Sequence, residues 1–343
     1  MSSSKSQACW TPTIYGVLAL IFWGICPAFV CKIRHIPVFQ LSMLFQGIGF
    51  LFILGVTIKQ KKLKIILMEL PKSFIMVPFV IANQICYLYA FRLAPPDQVD
   101  LINYLWPVMT VVGSSFLFAE KMTITRGVGI LVGFSAIVLL GRHEILTAAI
   151  GSQFFWGYAF AFGAAVFWTA YTLLGRSLKG VAAYQHIGFH VGFSSLVMAV
   201  LHVSFDDGFI PLEVNEWGVV ASLGILAYGL GYPLWWYGIA KGRFALLTSL
   251  SYLAPIISIL ALVVTGVVDP SWDLAIACLM VTAGSWLVNQ NTPVIENWFK
   301  PRIEEDFLDL ISFANLSHKV EWQSWEAELI EHDPWKNLVA SRL

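Results

Sequence analysis

Apolar segments of about twenty residues recur along almost the whole chain, and this recurrence constrains the fold more than any other feature. A helix needs about 20 mainly apolar residues to cross a bilayer. Ten segments meet that requirement: 13–31, 38–58, 74–92, 98–118, 124–141, 154–174, 183–203, 217–240, 244–266 and 272–290. Charged residues make up 12% of the chain, whereas soluble domains carry about 25%. The sequence therefore predicts an all-α integral membrane protein with ten transmembrane helices.

Lysine and arginine are unevenly distributed between alternate connections. If the amino terminus is cytoplasmic, 17 of the 21 basic residues fall on the cytoplasmic side and 4 on the other. Basic residues accumulate in cytoplasmic loops. Lys5 precedes a full-length apolar segment without a convincing cleavage site, so the first span is expected to stay. We predict a multi-pass protein of the cell membrane (the inner membrane in a bacterium) with both termini cytoplasmic.

The two halves of the chain resemble each other at a nearly fixed offset. The segment "LIFWGICPAF" aligns with "AVFWTAYTLL" at an offset of 145, which places Trp23 on Trp168. Gly47 falls on Gly192 at the same offset, and "NYLWP" later meets "SYLAP" at an offset of 148. Each half has five spans, an odd number, so the second half must be inverted relative to the first. Inverted repeats that hold a substrate between them are typical of secondary transporters.

These patterns divide the chain into three parts. Residues 1–145 form the first five-helix repeat, residues 146–295 the second, and residues 296–343 an acidic tail. The tail mixes acidic residues with Phe, Leu and Trp, which is typical of short amphipathic helices. We expect it to dock on the cytoplasmic face of its own bundle or to bind a cytosolic partner.

A proline interrupts the fourth span in the segment "LINYLWP". Pro107 has no N–H with which to bond the carbonyl of Asn103, four residues earlier, and Pro255 leaves the carbonyl of Ser251 in the same state. In hydrocarbon such polar groups should face protein or a water-filled cavity. We therefore predict Asn103 and Ser251 as substrate contacts and the two prolines as hinges. The alternative is a kinked helix whose polar groups only bond to neighbouring helices.

The segment "LINYLWPVMTVVGSSFLFAEKMTITRGVGILVGFSAIVLLG" (101–141) resembles the EamA-type repeat of the drug/metabolite transporter superfamily. Within it, "LINYLWP" is most similar to aromatic amino-acid exporters of the YddG type. The resemblance implies ten helices in two inverted repeats around a central cavity used in alternating access. It also implies that Asn103, Tyr104 and Trp106 lie beside that cavity. The second copy has Ala254 in place of Trp106, so the cavity is expected to be asymmetric.

Other polar and aromatic residues of the spans are candidates for the same cavity. Aromatic faces can stack on an aromatic or cationic solute, although many aromatic side chains in a membrane protein only pack or lie at the interface. An amide in hydrocarbon requires a partner, which favours the asparagine of span three. The further predicted substrate contacts are Trp23, Trp168, Tyr171, Asn83, Tyr87 and Tyr232.

Three ionisable residues raise separate hypotheses. His186 and His190 are spaced four apart and could share a metal in a membrane enzyme, but no third ligand accompanies them, and bundle-facing polar residues are the preferred interpretation. His190 is a candidate for proton coupling. Asp100 is a second candidate, although a solvated carboxylate at the start of a helix is the interpretation that its polar loop favours.

Motifs for other chemistry are missing from the sequence. It contains no GxxxxGK[ST], GxSxG or HExxH, and the glycines at 127, 129 and 133 suit close helix packing better than nucleotide binding. We expect no cofactor, no metal, no nucleic-acid partner and no enzymatic activity. The predicted function is export of a small organic solute by alternating access, with amino acids, aromatic ones among them, as the leading class. The alternatives are transport of a nucleotide-like or sulfur-containing metabolite, the membrane enzyme, and a non-transporting scaffold.

Overall fold

The computed structural model describes residues 10–117, 123–140, 154–177, 184–242, 247 and 250–289. Regular structure in these residues is helical, without a strand, which confirms the predicted all-α class for this part of the chain. The α-helices are α1 (Trp10–Lys32), α2 (Val38–Lys59), α3 (Leu63–Ser73), α4 (Val77–Leu93), α5 (Pro96–Asn103), α6 (Trp106–Leu117), α7 (Ile124–Leu140), α8 (Phe155–Ser177), α9 (Tyr184–Phe205), α10 (Val214–Ser222), α11 (Tyr232–Lys241), α12 (Ala254–Val264) and α13 (Trp272–Asn289). A 3-10 helix (Phe74–Met76) leads into α4, and a π-helix (Leu223–Gly231) joins α10 to α11.

Six helical stretches in the described ranges are long and apolar enough to cross a membrane. They are Trp10–Lys32, Val38–Lys59, Phe74–Leu93, Phe155–Leu174, His186–Phe205 and Val214–Trp235. Shorter apolar helices cover Ile124–Ala136, Ala254–Val264 and Trp272–Val288. Every one of these stretches coincides with a segment that the hydropathy pattern predicts to span the bilayer, and together they describe a multi-pass membrane protein.

The distribution of polar and apolar side chains fits a bilayer. On α2, Gln46 is fully buried while Leu51 is 63% exposed; on α9, His190 is fully buried while Val200 is 65% exposed. In water, large exposed apolar surfaces are unfavourable and monomeric proteins rarely present them. Lipid removes that penalty, and it makes the bundle interior the better place for an amide or an imidazole.

The fourth predicted span is two helices rather than one kinked helix. Helix α5 ends at Asn103 and α6 begins at Trp106, with a turn between them in which Leu105 N–H bonds the Ile102 carbonyl at 3.1 Å. Pro107 is the second residue of α6, where a missing N–H costs nothing because the first N–H groups of a helix have no intrahelical partner. The chain thus accommodates the proline by starting a new helix.

The ninth predicted span has the same turn at the matching position. Leu253 N–H bonds the Leu250 carbonyl at 2.9 Å, α12 begins at Ala254, and Pro255 is its second residue. The next bond in this helix joins Ile257 N–H to the Leu253 carbonyl at 3.0 Å, and the matching bond of α6 lies 148 residues earlier in the chain. The two breaks therefore share their hydrogen-bond pattern as well as their sequence.

The helices of the first half pack mainly on helices of the second half. Helix α1 packs on α11 and α12, α2 packs on α9, α4 packs on α8, and α7 packs on α13. Helix α8 also contacts α5 and α6. If each helix is replaced by its counterpart in the other half of the sequence, the α1–α11 pair becomes the α8–α4 pair. In the same way, the contact of α1 with α12 becomes the contact of α8 with α5 and α6.

Glycines allow α7 and α13 to meet backbone to backbone. A Cβ atom on Gly129 would lie 2.7 Å from the Gly284 carbonyl oxygen, and one on Gly284 would lie 2.7 Å from the Gly133 nitrogen. Both obstacles are backbone atoms, which cannot rotate away. The predicted role of these small residues in close packing is confirmed for Gly129 and Gly133, whereas a Cβ on Gly127 would meet nothing within 4 Å.

These two environments give a matched test on a single helix. Gly129→Ala should lower the free energy of unfolding by about 1–3 kcal/mol, since the added methyl must push two backbones apart. Gly127→Ala should leave it unchanged or slightly raised, because alanine favours the helix. Thermal unfolding of the two purified variants in detergent measures the difference, and equal unfolding temperatures would contradict the described α7–α13 contact.

Candidate functional site

Three predicted aromatic residues meet where α1, α8 and α11 come together. The ring of Tyr232 lies 5.4 Å from that of Trp23 and 6.3 Å from that of Trp168. The two tryptophans occupy matched positions of the two halves, and one tyrosine contacts both of them. We call Trp23, Trp168, Tyr171 and Tyr232 the aromatic cluster.

The π-helix positions this cluster. The indole N–H of Trp23 donates to the Ala227 carbonyl at 2.9 Å, inside the π-helix. Gly231, its last residue, leaves room for the indole, because a Cβ there would lie 2.7 Å from Trp23 Nε1. Tyr232 follows immediately as the first residue of α11. Segments of π-helix occur frequently at functional sites, and this one fixes the Trp23 ring against Tyr232.

Tyr171 extends the cluster along α8. Its ring stacks on Trp168 at 5.4 Å with an interplanar angle of 13°. Its hydroxyl lies 3.0 Å from Nδ1 of His190 on α9. The phenol therefore has an aromatic face turned to the cluster and a polar end turned to a buried imidazole.

Two residues beside the cluster escaped the sequence analysis. Tyr228, in the π-helix, lies 5.9 Å from the Tyr232 ring, and its hydroxyl donates to Gln84 Oε1 at 2.6 Å. Gln46 of α2 is fully buried with its side chain near the Tyr228 hydroxyl, although neither its Nε2 nor its Oε1 meets hydrogen-bond geometry with a described residue. The signal for Gln46 was an amide in an apolar span, which is the argument that selected Asn83.

Asn83 and Tyr87 have partners of their own. Asn83 Nδ2 donates to the Ala164 carbonyl at 2.9 Å, so this amide joins α4 to α8. The ring of Tyr87 packs edge-on against Phe91 at 4.9 Å, within the main apolar core. The Asn83 bond holds two helices together, whereas the contact of Tyr87 with Phe91 lies within α4. Both residues therefore have a packing role that needs no ligand.

The "LINYLWP" motif reaches the cluster through its backbone. Asn103 is half-buried at the end of α5, and in the described part of the chain its side chain makes no hydrogen bond. The Trp106 carbonyl accepts hydrogen bonds from the hydroxyls of Thr110 at 2.7 Å and Thr169 at 3.2 Å. Thr169 follows Trp168 in α8, so the break between α5 and α6 lies next to one wall of the cluster. Ser251 lies just before the equivalent break.

The interpretation of Asp100 as a solvated carboxylate is wrong. Asp100 is 1% exposed in α5 and lies beside Ser258 of α12, which is fully buried. Its position in a polar loop suggested solvent, but the short α5 packs against α1, α8 and α12, which cover it. An unpaired charge at such a place is costly, so burial keeps Asp100 as a candidate for carrying a proton.

Both histidines of α9 are buried, and they point at one serine. His186 Nδ1 lies 3.1 Å and His190 Nε2 lies 2.9 Å from the hydroxyl of Ser73, the last residue of α3. The hydroxyl thus occupies the position between the imidazoles that the metal hypothesis gives to an ion. In the described residues no group of three or more His, Cys, Asp or Glu side chains is placed to hold a metal.

A cavity lies elsewhere in the molecule. It has a volume of about 390 Å³ and is lined by apolar and polar residues near the α1–α2 turn, α4 and the end of α9; the polar ones include His35, Arg92, Asp206 and Asp207. None of the predicted substrate contacts lines this cavity. It belongs to one end of the bundle, next to the turn after α1, and is separate from the aromatic cluster.

Comparison with known proteins connects both halves to one group. The sequence model of the EamA-like transporter family matches residues 10–142 and 155–290. The chain is 34% identical over 199 residues to the aromatic amino acid exporter YddG of Ancylobacter novellus, covering 58% of this chain and 69% of that protein. It is 24% identical over 296 residues to the aromatic amino acid exporter YddG of Salmonella typhimurium, covering 80% and 95% of the two chains. A solved crystal structure of a protein superposes with a TM-score of 0.62 at 27% identity, covering 81% of this chain and 96% of the other.

Comparing the two buried glutamines of α2 tests which amide stabilises the fold and which is available to a ligand. Gln40 exchanges two hydrogen bonds with the backbone of Ile210, at 2.6 and 2.8 Å, whereas Gln46 has no partner in the described residues. Gln40→Met should lower the free energy of unfolding by about 1–3 kcal/mol, because both bonds are lost. Gln46→Met should leave it unchanged or raise it. Thermal unfolding distinguishes the two, and destabilisation by Gln46→Met would show that this amide is a structural group.

Proposed function

Because the chain belongs to the EamA-like transporter family, we propose that it is a secondary transporter that exports amino acids, aromatic ones among them, by alternating access. The observation that carries the proposal is the convergence of Trp23 and Trp168 on one tyrosine, Tyr232. Ligand pockets are lined mainly by apolar and aromatic side chains with a few polar groups that orient the ligand. The aromatic cluster has that composition. Relatives of this chain include proteins named aromatic amino acid exporters.

The aromatic rings suit the side chain of the solute. Ring pairs prefer offset or edge-to-face contacts with centroids 4.5–7 Å apart, and the rings of the cluster already stand at such distances from one another. A solute ring can replace one of these partners without a change in the kind of contact. The face of a tryptophan also attracts a cation such as an ammonium group.

Polar groups next to the rings would orient the rest of the solute. Gln46 presents a donor and an acceptor that meet hydrogen-bond geometry with no described residue. Asn103 lies at the end of α5, and its amide makes no hydrogen bond within the described residues. An amino acid carries an ammonium group and a carboxylate, which need an acceptor and a donor. A buried amide without a partner costs about 1–3 kcal/mol, a cost that a bound solute would relieve.

The architecture proposed for this function is ten spans in two inverted repeats. Three observations support it: the shared break at Leu105 and Leu253, the helix pairs that interconvert when the halves are exchanged, and a reciprocal contact between α2 and α9. In that contact a Cβ on Gly47 would lie 3.1 Å from Ser195 Oγ, and a Cβ on Gly192 would lie 2.6 Å from the Phe50 ring. An offset of 145 converts each of these pairs into the other.

Alternating access in this proposal uses the two helix breaks as hinges. At Pro107 and Pro255 the hydrogen-bond ladder is already interrupted, so a rotation there breaks no regular bond. Each break lies at a junction between helices of different halves. Rocking about the two hinges would open the aromatic cluster first to one side of the membrane and then to the other.

The orientation follows from the basic residues. We place both termini in the cytoplasm, because 17 of the 21 lysines and arginines then lie on the cytoplasmic side. Energy for export would come from the solute gradient or a coupled ion. Removal of residues 296–343, which lie outside the described part of the chain, should leave transport largely intact. Loss of transport in this truncated protein would favour the scaffold hypothesis.

Transport by the purified protein in liposomes tests the proposal. Radiolabelled amino acids should exchange across the membrane, with aromatic ones among those transported. Tyr232→Ala should reduce the exchange of phenylalanine about tenfold, since a stacked ring contributes about 0.5–1.5 kcal/mol beyond its buried area. Tyr232→Phe keeps the ring and should retain the exchange.

Asn103→Ala provides the matching test of the polar end. It should reduce flux while the unfolding temperature stays unchanged, because the amide bonds no described side chain or backbone group. Full flux in this variant would remove Asn103 from the site. Loss of exchange in Tyr232→Phe as well as in Tyr232→Ala would show that the hydroxyl, and not the aromatic face, is what the solute requires.

A further inference from the structure

A chain of buried polar side chains runs from the aromatic cluster to the carboxylate of Glu69 on α3. We propose that this chain, formed by Tyr171, His190, Ser73, His186 and Glu69, conducts protons and couples the export of a solute to the inward movement of a proton. The inference rests on the proposed transport function, which it deepens by naming the coupling ion and its path. Ser73 and Glu69 carry no sequence motif, and only the fold brings them to the histidines.

Three hydrogen-bond contacts join Tyr171 to His186. The Tyr171 hydroxyl lies 3.0 Å from His190 Nδ1, and His190 Nε2 lies 2.9 Å from Ser73 Oγ. Ser73 Oγ lies 3.1 Å from His186 Nδ1. His186 Nε2 lies 3.6 Å from Glu69 Oε2, which is an ion-pair distance but too long for a hydrogen bond, so the exposed Glu69 side chain must move closer for the last transfer.

Burial separates the interior of this chain from its ends. Ser73 and His190 are fully buried and His186 is 1% exposed, whereas the side chain of Glu69 is 43% exposed. At the other end, the Tyr171 ring stacks on Trp168 in the aromatic cluster. The chain therefore joins the proposed solute site to a solvent-accessible carboxylate, with three buried groups between them.

One choice of tautomers lets every bond run in the same direction. With both imidazoles protonated at Nε2, Tyr171 O–H donates to His190, His190 donates to Ser73, and Ser73 donates to His186. His186 then presents its N–H to the Glu69 carboxylate. An imidazole accepts at one nitrogen and donates at the other, and a hydroxyl does both with one oxygen, so each member can receive a proton on one side and release one on the other.

The transfer balances at every atom. The Tyr171 proton moves to His190 Nδ1, and the His190 Nε2 proton moves to Ser73 Oγ. The original Ser73 proton moves to His186 Nδ1, and the His186 Nε2 proton moves to the carboxylate. Tyr171 regains a proton from water or from the ammonium group of a solute at the cluster. One proton thus leaves the site and one appears on Glu69, which releases it to the cytoplasm in the proposed orientation. Both imidazoles then carry their proton on Nδ1, so the two rings and the Ser73 hydroxyl must turn back to the starting arrangement before a second proton can follow.

The helices around this chain carry further charged residues. Glu69 contacts the His186 imidazole and Tyr171 contacts the His190 imidazole. The helices that pack on α9 are α2, α3, α4 and α11. Their remaining charged residues are Lys59 at the end of α2, Lys64 and Lys72 on α3, Arg92 in the last turn of α4 and Lys241 at the end of α11.

The Ser73 hydroxyl has a second partner. It lies 3.0 Å from the Leu70 carbonyl, one turn earlier in α3, so the serine would be satisfied without either imidazole. The buried imidazoles do need partners, and a network that only satisfied them would stabilise the fold without moving protons. The Leu70 carbonyl gives the hydroxyl a resting position between transfers.

The test uses full-length protein in liposomes that contain a pH-sensitive dye, with an imposed pH gradient and L-phenylalanine as the solute. Wild-type protein should admit protons only when phenylalanine moves in the opposite direction. Glu69→Gln and Ser73→Ala should each reduce this solute-dependent proton influx at least tenfold. Phenylalanine exchange at equal pH on both sides should stay within twofold of wild type, because exchange requires no net proton movement.

Ser194→Ala is the matched control. It removes a fully buried hydroxyl from α9, one turn from His190, that bonds no described residue, and it should change neither readout. Phenylalanine exchange without any coupled proton influx in wild type would overturn the inference and leave the transport function standing. Wild-type proton influx in both Glu69→Gln and Ser73→Ala, or an equal loss of exchange and influx in both, would also overturn it. Absence of amino-acid exchange in wild type would instead refute the proposed transport function.

Discussion

The requirement that every backbone N–H and C=O be bonded within the protein governs this structure. Lipid offers no hydrogen bonds, so a segment that crosses it must be helical, and any interruption of a helix must be covered by protein. Two interruptions, at Leu105 and Leu253, each carry an i→i−3 bond at the turn. At the first of them, the hydroxyls of Thr110 and Thr169 also bond the Trp106 carbonyl. The aromatic cluster lies beside this break and beside the π-helix, so it borders segments in which the backbone departs from a regular α-helix.

The positions of the helices were predictable from hydropathy because the bilayer imposes one length on every span. The internal form of the spans was less predictable. A proline predicts a kink, but the chain ends one helix at Asn103 and begins another at Trp106. The π-helix before Tyr232 has no comparable signal, since its residues, "LGILAYGLG", would suit an ordinary apolar helix. Such departures depend on which neighbour each carbonyl finds, and that is decided by tertiary packing.

The candidate site was predictable to a similar degree. Matching the halves selected Trp23 and Trp168, and the fold brings both to Tyr232, because equivalent residues of two packed halves approach the same junction. Gln46 and Ser73 were missed for different reasons. The Gln46 amide is visible in its apolar span but looks there like any amide that bonds to a neighbouring helix, whereas the role of a serine at the end of a short helix depends on which side chains pack on it. The same limit explains Asp100, whose burial depends on the helices that pack on α5 and not on its own polar loop.

The proposed repeat gives the two halves similar backbones but different chemistry. At an offset of 145, His190 corresponds to Phe45, and Tyr171 corresponds to Cys26. Phe45 stacks on Tyr228 at 5.6 Å, so an apolar ring in the first half occupies the position that an imidazole has in the second. Alternating access needs similar backbones, because each half must adopt the shape of the other. Coupling needs the opposite: a proton path in both halves would join the two sides of the membrane through the cluster and dissipate the gradient. An asymmetric set of side chains on a symmetric backbone satisfies both requirements.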